Sequence, residues 1–252
     1  MLKPITIISL TLIVCTIARI SGWDNFWIIL TIVIFLGITL WGIFDIRMGY
    51  FGKTYYHGKN RNNHVSLTFD DGPTPYTLQV LELLDRYQMK ATFFCIGKQM
   101  AMHPNIVRQI LKKGHSIGNH SYTHAPMLPF KNVNAMGQEI QDTDDTLKNI
   151  TGVHTSLYRP PFGVTNPNVI KACKQKNKYI IGWSIRSLDT VIANEKHILQ
   201  RIIRRLKPGD IVLLHDTSKK TVSLLEQLSN TLKDRNLQSV PVDQLLNIKA
   251  HD

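Results

Sequence analysis

The feature that most constrains this chain is an alternation of short apolar runs and helix-period stretches that begins at His64. Each run is rich in β-branched or aromatic residues, and polar turn residues follow it. This pattern is typical of a parallel sheet with crossover helices. Seven such runs occur, at Val65–Phe69, Ala91–Ile96, His115–Ile117, Ser156–Tyr158, Tyr179–Ser184, Ile211–Leu214 and, weakly, near Ser239. Seven strands favour an incomplete or irregular α/β barrel, and a doubly wound open sheet is the alternative.

Reactive residues follow the predicted strands. Sites collect at the carboxyl ends of the strands in both architectures, so polar residues placed there are candidates for function. They are Asp70 and Asp71 after the first strand, Asn119 and His120 after the third, Arg159 after the fourth, Asp189 after the fifth, and His215 and Asp216 after the sixth. The sequence therefore predicts a site at this end of the sheet.

Two histidines in this set have a spacing suited to metal binding. His120 and His124 are four residues apart, which brings two imidazoles together on a helical turn or tight loop. A carboxylate from the Asp70–Asp71 pair would complete a set of two histidines and one carboxylate. Such a set leaves coordination positions open, as a catalytic metal requires. Each motif alone is weak, because loop histidines are often only solvated and Asp-Asp-Gly-Pro also suits a turn.

The two adjacent aspartates could divide the chemistry of hydrolysis. If Asp71 binds the metal, Asp70 stays free to take a proton from the attacking water. Hydrolysis of an amide also needs an acid, because the amide anion is a very poor leaving group. His215 is the other strand-end histidine that could supply this proton, although it could equally be a core or capping histidine.

Five motifs follow one another along the domain: TFDDGP (Thr68–Pro73), HSYTH (His120–His124), RPPFG (Arg159–Gly163), WSIRSLDT (Trp183–Thr190) and LLHD (Leu213–Asp216). In this order they resemble the motifs of the NodB-homology polysaccharide deacetylases, carbohydrate esterase family four. The resemblance extends from about Val65 to Leu246, and the run KATFFCIG also looks like the second strand of that family.

The resemblance implies a distorted seven-stranded (β/α) barrel that removes N-acetyl groups from an amino-sugar polymer. It implies one divalent metal ion, of the zinc type, held by Asp71, His120 and His124. Further roles follow from the same resemblance. Asp70 would be the catalytic base positioned by Arg159, His215 the general acid held by Asp189, and Phe162, Leu213 and Trp183 would contact the substrate.

The fourth motif departs from the family. Arg186 stands where an aspartate is common, and Thr190 stands where a tryptophan is common. Asp189, the expected partner of His215, is present. The departure leaves the polymer open: peptidoglycan, poly-N-acetylglucosamine, chitin-like chains and O-acetylated xylan all fit. Four other functions stay open as well: an O-acetyl esterase, a small-molecule amidase, an inactive glycan-binding module and a non-haem iron oxygenase.

Two apolar segments precede this domain, at residues 5–20 and 26–44. The second is long enough to span a bilayer, and tryptophans lie near its ends. We interpret residues 1–45 as a transmembrane hairpin that contacts lipid, with a cleaved signal peptide as the alternative. The polar residues 46–63 are predicted to form a tether, and residues 64–252 the catalytic domain.

Charge and substrate access give opposite indications of the membrane topology. Basic residues outnumber the single Arg19 of the hairpin loop on the other side of the predicted membrane, and this bias favours cytoplasmic ends. They are Lys3, Arg47, Lys53, Lys59 and Arg61. A polymer substrate, by contrast, requires an extracytoplasmic domain, periplasmic or at the cell surface, and we favour that location because substrate access is a requirement for function.

The chain carries a formal net charge of +12, which suggests an anionic partner such as lipid or an acidic envelope polymer. Its basic stretches are not interleaved with aromatic residues for base stacking, so we predict no nucleic-acid binding. The three cysteines have no spacing typical of a zinc knuckle, redox pair or disulfide framework.

Overall fold

The computed structural model describes residues 3–59 and 62–251. Arg61 and the outermost residues of the predicted anchor and catalytic domain lie outside the described residues. The described helices are α1 (Pro4–Ile20), α2 (Asn25–Phe44), α3 (Pro75–Arg86), α4 (Gly97–Met102), α5 (Pro104–Lys112), α6 (Val133–Thr151), α7 (Pro167–Gln175), α8 (Glu195–Ile203), α9 (Lys219–Asp234) and α10 (Val242–Leu246). The described strands are β1 (His64–Asp70), β2 (Ala91–Cys95), β3 (Ser116–Asn119), β4 (Leu157–Tyr158), β5 (Tyr179–Ile180), β6 (Ile185–Arg186), β7 (Ile211–His215) and β8 (Gln238–Ser239).

The strands form a parallel α/β sheet in the order β5-β4-β3-β2-β1-β7-β6, and β8 pairs with the start of β1. Strands β5 and β6 lie at the two ends of this path, so the structure is a seven-stranded half-barrel with an added short strand. The register aligns Asp70 of β1 with Phe94 of β2 and His215 of β7. The sheet therefore places the ends of β2, β1 and β7 side by side.

The predicted fifth strand, Tyr179–Ser184, is wrong in its extent: the strand ends at Ile180, and a further strand, β6, begins only at Ile185. The chain leaves β5 after Ile180 and enters β6 at Ile185, at the opposite end of the sheet. Between them, the carbonyls of Ile181 and Gly182 accept hydrogen bonds from the Arg159 side chain, at 3.2 and 2.9 Å. The guanidinium thus bonds these carbonyls where the sheet ladder is interrupted.

Two apolar clusters cover the faces of the sheet. One cluster joins β1 and β7 to the outer helices α3, α5, α8 and α9, with Leu84, Ile110, Ile202 and Leu228 among its buried members. The other joins the sheet to α6, α7 and α10, with Phe94, Ile140, Val169 and Leu245 among its buried members. Burial of side chains of this size contributes about 1.5–3 kcal/mol each, and this packing holds the strand ends in place.

Proline and glycine mark the starts and ends of several helices. Pro104 opens α5, and Gly114 follows it with φ of +77°. Gly152 ends α6 in the left-handed conformation, with φ of +80°. Residues with a Cβ adopt this conformation at a cost, so glycine is favoured there.

Helices α1 and α2 pack against each other across the turn at residues 21–24. Helix α2 has 20 residues and a mean hydropathy of 2.5, enough to cross a membrane, whereas α1 is shorter at 17 residues. An N-terminal apolar helix of this kind is either a membrane anchor or a signal sequence.

Residues 46–59 of the predicted tether pack against the domain. Ile46 and Tyr50 are 1% exposed. Tyr55 forms a parallel bridge with Ile181, and His57 pairs with Asp210. These contacts fix the chain between α2 and the sheet. The polar composition of the segment did not indicate them.

The last turn of α2 is also bonded to the domain. The Thr165 backbone N–H donates to the Ile43 carbonyl at 3.0 Å, and the Thr39 and Tyr50 hydroxyls lie 3.1 Å apart. Gly42 faces the Tyr50 ring so closely that a Cβ would overlap it. The C-terminal end of α2 is therefore held in a fixed position against the rest of the chain.

Candidate active site

Asp71, His120 and His124 come together at the carboxyl end of the sheet. The Asp71 Oδ1 lies 3.5 Å from Nε2 of His120 and 3.4 Å from Nε2 of His124. One ligand atom from each residue can be chosen so that all three lie within 4.8 Å of one another. Two imidazole nitrogens and one carboxylate oxygen are a donor set that suits a divalent ion with open coordination positions. The residues therefore fit the predicted metal site.

The His120 ring is oriented by the other motifs. Its Nδ1 lies 2.7 Å from the Arg159 carbonyl, so Nδ1 donates to that carbonyl and Nε2 faces Asp71. A backbone carbonyl behind a ligating histidine commonly fixes the tautomer in this way.

Buried polar side chains hold the loop that carries both histidines. The Glu139 carboxylate accepts from the backbone N–H groups of Tyr122 and Thr123, at 3.1 and 2.8 Å, and from the Thr123 hydroxyl. Asn119 accepts from the backbone N–H of Ser121 and donates to Asp144. Our reading of the sequence missed Glu139 and Asp144. Their signal is that both acids occupy the buried face of α6 among apolar residues.

The charges around Asp71 favour the protonation states of metal ligands. Burial would raise the pKa of Asp71, but the hydrogen bond and charge of His120, with the charges of His124 and His215, lower it to about 2. Burial and the neighbouring His120 lower the pKa of His124. An ionised carboxylate and a neutral imidazole are the forms that bind a cation.

Asp70 is held by a buried arginine. The Arg159 Nη1 donates to the Asp70 Oδ1 at 2.7 Å and to the Thr68 hydroxyl at 2.8 Å. Arg159 is 0% exposed, and its guanidinium lies 4.0 Å from the centre of the Phe94 ring. Burial lowers the pKa of Arg159, and the charge and hydrogen bond of Asp70 oppose this lowering. The ordinary pKa of arginine is so high that Arg159 stays charged. The second oxygen of Asp70, Oδ2, lies 3.8 Å from Nε2 of His120.

His215 and Asp189 form a second oriented pair. The His215 Nδ1 lies 2.8 Å from the Asp189 Oδ1, and the His215 backbone N–H donates to the Asp189 Oδ2 at 2.8 Å. Burial would lower the pKa of His215, but the hydrogen bond and charge of Asp189, helped by Asp70 and Asp71, raise it to about 9. His215 is therefore protonated at neutral pH, with its Nε2 4.0 Å from Asp71.

The profile of the family described as polysaccharide deacetylase matches residues 57–180. The chain is 35% identical over 204 residues to a peptidoglycan-N-acetylglucosamine deacetylase of Bacillus cereus, an alignment that covers 79% of this chain and 95% of that protein. The chain belongs to the polysaccharide deacetylase family.

Two further relatives extend this comparison. The chain is 33% identical over 186 residues to the peptidoglycan-N-acetylmuramic acid deacetylase PdaC of Bacillus subtilis, which covers 73% of this chain but only 39% of that protein. Its fold matches the crystal structure of the Bc1960 peptidoglycan N-acetylglucosamine deacetylase with a TM-score of 0.73 and 30% identity, over 77% of this chain and 92% of that one. The chain thus spans about two fifths of the first curated relatives and nearly all of the Bacillus cereus protein described above.

The residues that the family resemblance assigns to substrate lie around the same site. Phe162 is 48% exposed, and its ring centre lies 4.8 Å from that of His124, at the mouth of the cleft. Trp183 is 8% exposed and packs against Gly163, which follows Phe162. Leu213 is buried in β7, two residues before His215.

The two departures from the family motif lie at the surface. Arg186 and Thr190 are both exposed, and the Arg186 guanidinium lies 5.8 Å from the centre of the Trp183 ring. Asp189 remains bonded to His215 between them. The substitutions therefore leave the pair of His215 and Asp189 intact.

Asp216 supports the turn at the end of β1 that carries Asp70 and Asp71. It is 0% exposed, and its carboxylate accepts from the Thr77 hydroxyl while its backbone carbonyl accepts from the Thr74 hydroxyl at 2.5 Å. Burial raises the pKa of Asp216 to about 7. Gly72 packs directly on this carboxylate, where a Cβ would overlap it. Sequence reasoning noted Asp216 but gave it no role.

Proposed function

We propose that this protein is a metal-dependent amide hydrolase that removes N-acetyl groups from an amino-sugar polymer of the peptidoglycan type. The observation that carries this proposal is the position of Asp70 and His215. Neither is needed to hold a metal, yet Asp70 lies 3.8 Å from His120 and His215 lies 4.0 Å from Asp71, two of the residues that would hold one. An inert metal-binding or glycan-binding module has no need for a positioned base and a positioned acid.

Asp71, His120 and His124 would hold one divalent ion, and the donor set favours zinc. When bound, such an ion supplies a Lewis acid that polarises the acetyl carbonyl and acidifies the attacking water. The His120 ring donates to the Arg159 carbonyl, and the His124 backbone N–H donates to the Ser121 hydroxyl. These two hydrogen bonds keep both histidines in place.

Asp70 and His215 would divide the two proton transfers. Asp70, fixed by Arg159, takes a proton from the water as its oxygen attacks the acetyl carbon. His215 donates its Nε2 proton to the departing nitrogen as the C–N bond breaks, and Asp189 holds the ring through Nδ1. The products are acetate and a free amino sugar.

The remaining residues would bind substrate. The backbone N–H of Phe162 would donate to the acetyl oxygen as negative charge develops there. Leu213 would line the pocket for the acetyl methyl group, and Trp183 would form one wall of the sugar groove. The names of the relatives support peptidoglycan as the polymer.

An acetate-release assay tests this function. The purified full chain is given peptidoglycan, poly-N-acetylglucosamine, chitin oligomers, O-acetylated xylan and small N-acetyl compounds, with and without chelator. We expect release from N-acetylated polymers that chelator removes and divalent zinc restores. His124→Ala should lower bound metal strongly, because two ligands rarely hold the ion.

Other results of this assay identify the alternatives. Release only from xylan indicates an O-acetyl esterase, and release only from small compounds indicates an amidase. Glycan binding without release indicates an inactive module. Stoichiometric metal in His124→Ala contradicts the metal site.

We place the catalytic domain, residues 64–252, outside the cytoplasm, anchored by residues 1–45 and joined through residues 46–63. A reporter that is active only outside the cytoplasm, fused after Asp252, should be active. Activity of a cytoplasmic reporter at that position instead contradicts this location and favours a substrate on the cytoplasmic side.

A further inference from the structure

A cavity of about 240 Å³ lies where α2 meets the catalytic domain, and its lining is strongly basic. Arg47, Arg186, Arg201 and Arg205 contribute to it, against Asp45 as the one acidic residue, so the lining carries a net charge of +3. Asp45 is already occupied, because Arg47 donates to both of its oxygens at 2.8 and 2.6 Å. Three guanidinium groups remain without compensation.

Arg186 and Arg201 are held together by contacts that do not neutralise them. The Arg201 Nε donates to the Arg186 carbonyl at 2.9 Å, and the Arg186 guanidinium lies near the Trp183 ring. Among the residues that the structure describes, the arginine ion pairs involve Arg47, Arg86 and Arg159 only. Gathered like charges repel one another, so an anion bound among them would be stabilised.

The other wall of the cavity is apolar and belongs to the end of α2. Trp41 and Phe44 line it and are 61% and 62% exposed. Tryptophan at the end of an apolar helix is typical of the membrane–water interface. If α2 lies in the membrane, as the proposed anchoring requires, the arginines lie at the level of the lipid headgroups.

A phospholipid combines the two chemistries that this cavity presents. The planar guanidinium group matches phosphate oxygens, and acyl chains would lie along Trp41 and Phe44. The volume is below the roughly 300–1,000 Å³ of pockets that enclose a whole drug-sized ligand, so it has room for a headgroup rather than a sugar chain.

We propose that Arg186, Arg201 and Arg205 bind the phosphate of an anionic phospholipid at the junction of α2 and the catalytic domain. This inference rests on the proposed membrane anchoring but not on the deacetylase activity. A bound lipid would fix the height and tilt of the domain above the bilayer, and with them the direction in which its cleft opens.

Thermal unfolding of the full chain in neutral detergent tests the site. Short-chain phosphatidylglycerol, short-chain phosphatidylcholine and inorganic phosphate are titrated separately. We expect phosphatidylglycerol to raise the melting temperature more than the other two. The variant Arg201→Gln/Arg205→Gln should bind it at least about tenfold more weakly, because it removes two of the three charged groups that would bond the phosphate.

The control variant Lys112→Gln/Lys148→Gln removes the same charge from exposed positions on α5 and α6, and it should bind as the parent does. An equal loss in both variants would mean general charge attraction and overturn the site. Equal stabilisation by inorganic phosphate would reassign it to a free anion, and equal stabilisation by phosphatidylcholine would remove the requirement for negative charge. Acetate release from a soluble oligosaccharide, measured on the same samples, reports failure of the deacetylase proposal separately.

Discussion

The amino and carboxyl ends of the sheet use different residues where the backbone turns left-handed. In the described chain, ten non-glycine residues have positive φ. In the turns that precede strands or end helices they are four asparagines and one glutamine: Asn63, Gln88, Asn177, Asn236 and Asn247. In the loops of the catalytic end they are Asp71, Ser121, His124, Phe162 and Leu188.

This difference indicates what each end is selected for. The left-handed conformation costs most residues about 1–2 kcal/mol, and asparagine tolerates it better. The amino end therefore uses residues that keep the cost low. The catalytic end accepts the cost at Asp71, His124 and Phe162, because the side chain or backbone N–H at these positions carries proposed chemistry.

The largest expected effect is at the catalytic end. Asp70→Asn should reduce turnover by at least about 10²–10⁴-fold, the range for loss of a general base, while bound metal stays near normal. Asp71→Asn should reduce both turnover and metal. Both proteins should fold, because asparagine at position 70 keeps an acceptor for Arg159 and asparagine at position 71 tolerates the positive φ there. Metal analysis beside acetate release distinguishes them, and equal metal loss in the two variants would show that the roles are misassigned.

The second prediction separates a catalytic acid from a structural histidine. His215→Ala should slow amide hydrolysis by about 10²–10⁴-fold but slow hydrolysis of an activated acetyl ester much less, because that leaving group needs little protonation. The ratio of the two rates is the measurement. An identical loss on amide and ester would assign His215 to the scaffold.

The third prediction concerns a histidine at the amino end. His115 is 3% exposed, and its Nδ1 accepts from the Ala91 backbone N–H at 3.2 Å. Burial, with the charge of Lys90, lowers the pKa of His115 to about 4. The folded state therefore favours neutral His115. The contribution of neutral His115 to the free energy of unfolding is fully present above about pH 6.5. It is lost as the pH falls toward 4, and the loss is on the order of 3 kcal/mol.

Urea unfolding of the parent and His115→Asn between pH 7.5 and 4.5 measures this contribution. The variant keeps an acceptor for Ala91 and should lose much less free energy of unfolding over that range. Its acetate release at pH 7.5 should stay within about twofold of the parent, because His115 lies at the amino end of the sheet and the candidate site lies at the carboxyl end. An unchanged pH slope would contradict the assignment.

The smallest expected effect tests the backbone comparison directly. At Asn236 and at Phe162, an alanine variant should be less stable than a glycine variant by about 1 kcal/mol, because glycine enters the left-handed region freely. Both changes at Phe162 should also lower acetate release, whereas neither change at Asn236 should. Equal stability of the alanine and glycine variants at both sites would refute the role given to the backbone.

Local patterns in the sequence predict the parallel sheet, the end that carries the site and the two histidines of the candidate metal site. The choice of Asp71 as the third candidate ligand comes from the family resemblance. Apolar runs identify buried strands, and the residues after them identify the catalytic end. The end of the predicted strand Tyr179–Ser184 at Ile180 could not be predicted, since the carbonyls of Ile181 and Gly182 bond the side chain of Arg159, which is distant in the sequence. The docking of residues 46–59 and the roles of Glu139 and Asp216 depend on contacts between distant segments, which no local pattern encodes.

Arg159 also has a consequence for how such an enzyme could lose its activity. The side chain bonds β1 through Thr68 and Asp70 and bonds the crossing between β5 and β6 through Ile181 and Gly182. Its carbonyl orients His120. A descendant that abandoned catalysis could replace Asp71 or His124 without opening the sheet, but replacing Arg159 would leave buried carbonyls without donors. In such a lineage we expect the metal ligands to be lost first and this arginine last.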